Sequence, residues 1–214
     1  MKIKGVIFDV DGVLLDTMPV WTSAGARYLE SLGIEAEAHL GDKLFTMTVD
    51  MGAVYLKEKY KMSQSLDEII RGINGVVEDY YYYHADFKPG ARKLLKSLSD
   101  AEIPMTIASS TGRKYIAAAM ERLDAMHCFK EILSCVEMKT SKSEPEIFYE
   151  AMRIMGTKPC ETWLFEDGLY SVKTAAAAGI NTVGVFDAVS AGDQKELAAT
   201  ADIYVTSLED FQLI

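Results

Sequence analysis

Apolar residues along this chain come in short runs, and several of the runs stop at acidic or hydroxyl residues. Residues 2–9 hold Val6-Ile7-Phe8 and end at Asp9. A short continuous apolar run of this kind predicts a strand buried on both faces. From Pro89 onward, helical and extended patterns alternate. Helices predicted at 90–101, about 112–125, about 145–156 and about 170–178 precede extended runs at Pro104–Ser109, Ile132–Val136, Thr162–Glu166 and Asn181–Phe186. Ile203–Val205 adds a last strand. Such alternation predicts an α/β fold, a parallel sheet flanked by helices. Residues 17–84 carry no strand pattern. Val20, Trp21, Ala24, Tyr28, Leu29 and Leu32 fall at helical spacing, with Gly33 as a stop. Residues 44–60 and 65–83 predict two more helices, the second with a stripe of Leu66, Ile69, Ile70, Ile73 and Val77. The expected organisation is therefore a core domain of 1–16 and 85–214 with a helical insertion, 17–84, whose hinges fall at Thr17–Met18 and Tyr83–Phe87.

Composition changes this picture little. The 214 residues are 49% hydrophobic and 25% charged, ordinary for a globular chain. The net charge of −10 argues against nucleic acid as a partner, because a phosphate backbone needs a basic face. Cys128, Cys135 and Cys160 match no metal-binding spacing and read as reduced thiols. No apolar stretch approaches the roughly 20 residues of a membrane span, and the first residues lack a signal-peptide layout. The expected location is the cytoplasm, without a membrane partner. The sequence sets no oligomeric state, and a monomer is compatible with it.

Four polar clusters carry the chemistry. Asp9 and Asp11 close the first strand, and Gly12 allows a sharp turn after them. Two carboxylates so close repel unless a cation lies between them, and a hard divalent ion such as Mg2+ suits oxygen ligands. Ser109-Ser110-Thr111 ends the second extended run. Its hydroxyls, with free N–H groups at a helix start, can hold an anion, or Ser110 or Thr111 can simply cap the helix. Lys142 precedes a helix that Pro145 starts, and it can neutralise a phosphate oxygen and a carboxylate or stand as a loop lysine. Glu166-Asp167-Gly168 ends another strand, where Asp167, with Glu166 near it, can complete a metal site begun by Asp9. Each cluster alone has a bland explanation. Together they fall at one edge of one predicted sheet, where ligands of such folds bind.

In this order the clusters resemble the motifs of the haloacid dehalogenase superfamily, in its branch with a small helical cap, similar to β-phosphoglucomutase and the sugar-phosphate phosphatases. The resemblance covers essentially the whole chain and implies a Rossmann-like core with 17–84 as the cap. It implies a Mg2+-dependent phosphatase acting on a small phosphorylated metabolite. Asp9 would be the nucleophile that forms an aspartyl-phosphate, and Asp11 the general acid and base. Ser109, Ser110 and Lys142 would hold the phosphoryl group. Asp9, the Asp11 carbonyl and Asp167 would bind the metal, with Glu166 behind them. A dehalogenase lacks the second aspartate, so Asp11 favours phosphoryl transfer. The phosphonate-cleaving branch uses a cap lysine, but Lys43, Lys57 and Lys59 match no such context. Mutases of the family carry a histidine twelve residues after the nucleophile, where this chain has Trp21. His39, His84 and His127 do not replace it. The mutase is the first alternative, and a non-catalytic phosphate-binding or signalling module the second. Residues 41–50, with Phe45, Met47 and Val49, are the expected specificity stretch. Trp21 either faces the substrate or fills the cap core, and Tyr80–Tyr83 closes the last cap helix.

Overall fold

Gly5–Phe8 forms β1, and every residue in it is buried. Such a strand needs neighbours on both edges and cover on both faces, and it has them. It pairs in parallel with β2 (Met105–Ser109) on one side and β4 (Thr162–Glu166) on the other. With β3 (Phe129–Ser134), β5 (Asn181–Val185) and β6 (Ile203–Val205), these make a parallel sheet of six strands in the order β3-β2-β1-β4-β5-β6. The structure is a computed structural model that describes residues 3–45 and 47–212, without the side chain of Phe45.

The chain divides into two compact units, Met1–Asp16 with Ala85–Ile214, and Thr17–His84. In the first, alternation along the strands sorts the core. Ile7 and its register partner Leu164 pack with Ile147, Phe148 and Ala151. Phe8 and Phe165 meet with ring centroids 4.8 Å apart, and Phe165 also meets Phe211. Full burial of a Phe or Leu side chain stabilises by about 1.5–3 kcal/mol, so this alternation fixes the register of β1 against β4.

The second unit is helical: α1 (Met18–Ser31), α2 (Leu40–Phe45), α3 (Val49–Lys59) and α4 (Leu66–Tyr83). The α1 helix ends beside Gly33, whose φ is +72°. A capping box starts α4, with the Ser65 hydroxyl accepting from Glu68 N and the Glu68 carboxylate accepting from Ser65 N. Helix α1 packs on α2 and α4, and α3 on α4. The single helix expected over 44–60 is instead two. Thr48 accepts from Met51 N at 3.2 Å and starts α3 afresh. Trp21 is half-buried, and its indole N–H donates to the Tyr81 hydroxyl at 3.1 Å. Within the tyrosine run, Tyr81 is buried and Tyr83 exposed.

The remaining helices of the first unit are α5 (Ala91–Asp100), α6 (Arg113–Arg122), α7 (Cys135–Met138), α8 (Glu146–Met155), α9 (Leu169–Ala177) and α10 (Gln194–Thr200). Cys135 and Val136, expected as strand, open α7, because the Ser134 hydroxyl accepts from Val136 N and caps a helix there. Pro145 occupies the cap position of α8 rather than its first turn. No described helix is long and apolar enough to cross a membrane.

Candidate active site

The strand order reverses direction at β1 and β4, and ligands of open parallel sheets bind where that happens, beyond the carboxyl ends of the strands. Asp9 follows β1, and Asp167 follows Glu166 at the end of β4. Asp9 N donates to Phe165 O at 3.0 Å, so the ladder carries the aspartate to the sheet edge. The chain then turns at once. Leu14 and Leu15 N–H groups donate back to Val10 O, and Gly12 has φ +76°, a conformation that favours glycine.

A carboxylate oxygen from each of Asp9, Glu166 and Asp167 lies within 4.8 Å of the other two, and all three residues are buried. Lys142 is 2% exposed. Its ammonium lies 2.6 Å from Asp9 Oδ1 and 2.8 Å from Glu166 Oε1. Burial alone would pull that ammonium's pKa down, but Asp9 and Glu166 outweigh it and push it up. Burial also tends to raise Glu166, yet Lys142 and Gly168 N, which donates at 2.6 Å, hold it low. The other two carboxyls go the opposite way. Burial, then the charge of Glu166, pushes Asp9 up to about 7 against the pull of Lys142. Burial, then Glu166 and Asp9, pushes Asp167 up to about 9. Three acids thus share one ammonium.

The Asp11 carboxylate is not in that cluster. It accepts from the Thr111 hydroxyl at 2.7 Å and from the Ser109 hydroxyl at 3.4 Å. Ser109 Oγ in turn accepts from Thr111 N at 3.0 Å. Neither Ser110 nor Thr111 caps α6, whose cap residue is Gly112. Ser109 is fully buried, whereas Ser110 is exposed. The structure therefore gathers Asp9, Lys142, Glu166 and Asp167 directly and joins Asp11 to Ser109 through hydrogen bonds.

Sequence reading missed several supporting residues. Ser190 donates to Asp167 Oδ2 at 2.9 Å from the loop beyond β5. Lys88 donates to Gly12 O at 2.6 Å, to Phe186 O at 2.9 Å and to Asp187 Oδ2 at 2.8 Å. It ties the turn after Asp9 to the loop that carries Ser190. Lys88→Met leaves the Asp187 carboxylate, 7% exposed, without this ammonium. The expected loss is about 3 kcal/mol in urea unfolding. Cys135 is buried nearby, and burial pushes its thiol up despite Lys142, so it stays protonated and unreactive.

The lysines considered for the phosphonate-cleaving branch are engaged within the helical unit. Lys43 and Lys59 both pair with Glu37, and Lys57 donates to the Met62 carbonyl at 3.3 Å and to that of Gln64. His39, His84 and His127 pair with Asp42, Asp79 and Asp124.

A cluster of hard oxygen donors with too little positive charge around it suits a cation. The fold and this site define a class: Rossmann-like α/β proteins with an acidic centre at the switch point of the sheet. A model of the haloacid dehalogenase-like hydrolases matches residues 6–185, and the chain belongs to that family. It is 27% identical over 190 residues to a phosphorylated carbohydrates phosphatase of Thermotoga maritima, covering 88% of each chain. It is 28% identical over 223 residues to a probable pseudouridine-5'-phosphatase of Drosophila melanogaster, covering 99% of this chain and 92% of that one. Its fold matches the crystal structure of a putative β-phosphoglucomutase from Thermotoga maritima with a TM-score of 0.84 and 26% identity, over 98% of this chain and 96% of the other.

Proposed function

We propose that the chain is a phosphoric monoester hydrolase that cleaves the ester of a small phosphorylated metabolite through a phosphorylated Asp9. One observation carries this reading. A buried carboxylate at the switch point touches a buried lysine, while a second carboxylate two residues on is held by hydroxyls outside the acidic cluster. That separation suits two carboxylates with two roles.

An Asp9 oxygen attacks phosphorus, and the bond from phosphorus to the ester oxygen breaks as Asp11 gives that oxygen a proton. Water then attacks the same phosphorus, Asp11 takes its proton, and the bond to Asp9 breaks to release phosphate. Ser109, Ser110 and Lys142 hold the phosphoryl oxygens. Mg2+ would suit the donor set of Asp9, Asp167 and the Asp11 carbonyl, with Glu166 behind them, and would supply positive charge that eases the approach of a carboxylate to an anionic phosphate. Residues 17–84 act as the cap and select the substrate. The stretch 41–50 belongs to that role, although Thr46 and the Phe45 side chain lie outside the described residues. Hydrolysis is favoured over phosphoryl return to a sugar because Trp21, in the place of the mutase histidine, carries an indole N–H that neither gains nor loses a proton near neutral pH.

Phosphate release from a panel of small phosphate esters, with Mg2+ and with excess EDTA, tests the reading. Release that depends on Mg2+ is the expected result. A product that keeps its phosphate at a new carbon would mark a mutase instead. Thr111→Val should lower kcat about tenfold with KM little changed, because Asp11 loses the hydroxyl that orients it; an unchanged kcat would remove Thr111 from the mechanism.

Stability should report the same site. Unfolded aspartates titrate near pH 3.9, whereas Asp9 and Asp167 are pushed up to about 7 and about 9. Between these limits the folded protein holds more protons than the unfolded chain, so stability falls as pH rises. Glu166, held low, acts in the opposite sense only in the acid range. Metal-free protein should therefore lose Tm from pH 5 to pH 9, and Mg2+ should raise Tm more at pH 8.5 than at pH 5.5. A Tm gain from Mg2+ that is equal at both pH values would count against metal binding at these carboxylates.

A further inference from the structure

We infer that Ser190, held in place by Lys88, Asp187 and Gln194, is a positioning residue that sets the affinity of Asp167 for a divalent cation and favours Mg2+ over Ca2+. This deepens the phosphatase reading above and rests on the metal site given there. Ser190 occupies the cap position of the single helical turn Ala191–Asp193, yet its hydroxyl makes no capping bond. A serine in such a place ordinarily spends its oxygen on a backbone N–H of the turn. Here the hydroxyl donates instead to Asp167 Oδ2 at 2.9 Å.

The loop that carries Ser190 is tied down from several sides. Gln194 Nε2 donates to Ser190 O at 3.2 Å and to Asp187 O at 3.4 Å. Tyr204 donates to Gln194 Oε1 at 2.9 Å, which sets the way that amide points. Asp187 is buried, and it accepts from Val189 N at 2.9 Å through Oδ1 and from Lys88 at 2.8 Å through Oδ2. The same Lys88 ammonium donates to Gly12 O, so the loop with Ser190 and the turn with Asp11 share one anchor. All of these residues belong to the α/β unit.

A hydroxyl bond of this kind does two things to a carboxylate. It holds the group in one orientation although Asp9 and Glu166 lie beside it. It also engages Oδ2, and so favours coordination through a single oxygen. Mg2+ is small and demands near-octahedral geometry, whereas Ca2+ accepts carboxylates through one oxygen or both. Groups that orient a metal ligand contribute about 10–100-fold to metal affinity.

The test reads binding without turnover, from the rise in Tm with MgCl2 or with CaCl2 at constant ionic strength and fixed pH. In Ser190→Ala, the MgCl2 concentration that gives a set gain in Tm should increase about tenfold or more. The CaCl2 concentration should increase about threefold or less, because Asp167 is then free to offer both oxygens. Ser190→Thr keeps the hydroxyl and should restore the preference for Mg2+. A residue that served only the fold would lower the metal-free Tm and leave both requirements unchanged.

An unchanged Mg2+ requirement in Ser190→Ala, or an equal loss for the two ions, overturns the role given to Ser190 and leaves the phosphatase reading standing. A preference that Ser190→Thr does not restore also overturns it. If neither ion raises the Tm of the unaltered protein, the inference falls. The phosphatase reading then stands if release of phosphate from a small ester still depends on Mg2+, and falls if no ester is hydrolysed.

Discussion

Asp9→Asn is expected to abolish phosphate release while making the protein more stable. The two effects share one cause. Asp9 is buried, and burial together with Glu166 and Asp11 pushes it up to about 7 despite Lys142. The fold thus prefers a neutral group at this position, and asparagine is neutral with almost the same shape. Above pH 7 the gain should be about 1–2 kcal/mol in thermal or urea unfolding. Lys142 still pairs with Glu166 at 2.8 Å, so no buried ammonium is left alone. An amide is a far poorer nucleophile than a carboxylate, and turnover should fall by about four orders of magnitude or more. A residue kept for structure would lose stability when changed. A variant that is less stable yet still releases phosphate would overturn the role given to Asp9.

Lys142→Met should damage both properties. Methionine fills much the same volume, so packing is largely kept. What is lost is the ammonium between Asp9 and Glu166. Breaking a buried ion pair from one side costs about 3–5 kcal/mol, and the loss should be larger at pH 8 than at pH 5, where the carboxyls can protonate instead. In the proposed mechanism that charge meets the phosphoryl oxygens, and its loss should lower kcat by about 10²–10³. The double variant Lys142→Met/Glu166→Gln separates the two roles. It removes one of the orphaned acids and should regain about 2 kcal/mol, while kcat stays low. Recovery of kcat along with stability would make Lys142 a structural residue only.

Much of the sheet was legible because its signals are local. A buried run ending at Asp9 or Asp167 announces both a strand and its polar end, and the same holds for Ser109. Lys142 could be placed at the sheet edge but not paired, since Glu166 lies far along the chain. The same limit hid Thr111 against Asp11, Ser190 against Asp167 and Lys88 against Asp187. None of these pairs has a sequence signature; each exists because the sheet brings strand ends together. The helix break before α3 was within reach, since Thr48 is a good cap residue. It was masked by apolar positions on either side that keep a helical period. Cys135-Val136 departs from its expected strand for a related reason: the residues favour a strand, and one serine hydroxyl turns the chain.

The two passages of the chain between the units run side by side. Leu15 forms an antiparallel bridge with Phe87, Asp16 N donates to Asp86 O at 3.0 Å, and Lys88 N donates to Leu14 O at 2.8 Å. The α/β unit is thereby stitched across the point where it is interrupted. Whatever polypeptide occupies positions 17–84 enters and leaves through one narrow doorway, and the cost of closing that loop grows only slowly with its length. Such a doorway makes the insert an exchangeable part. It can be lengthened or shortened while the α/β unit keeps its own pairing across the stitch.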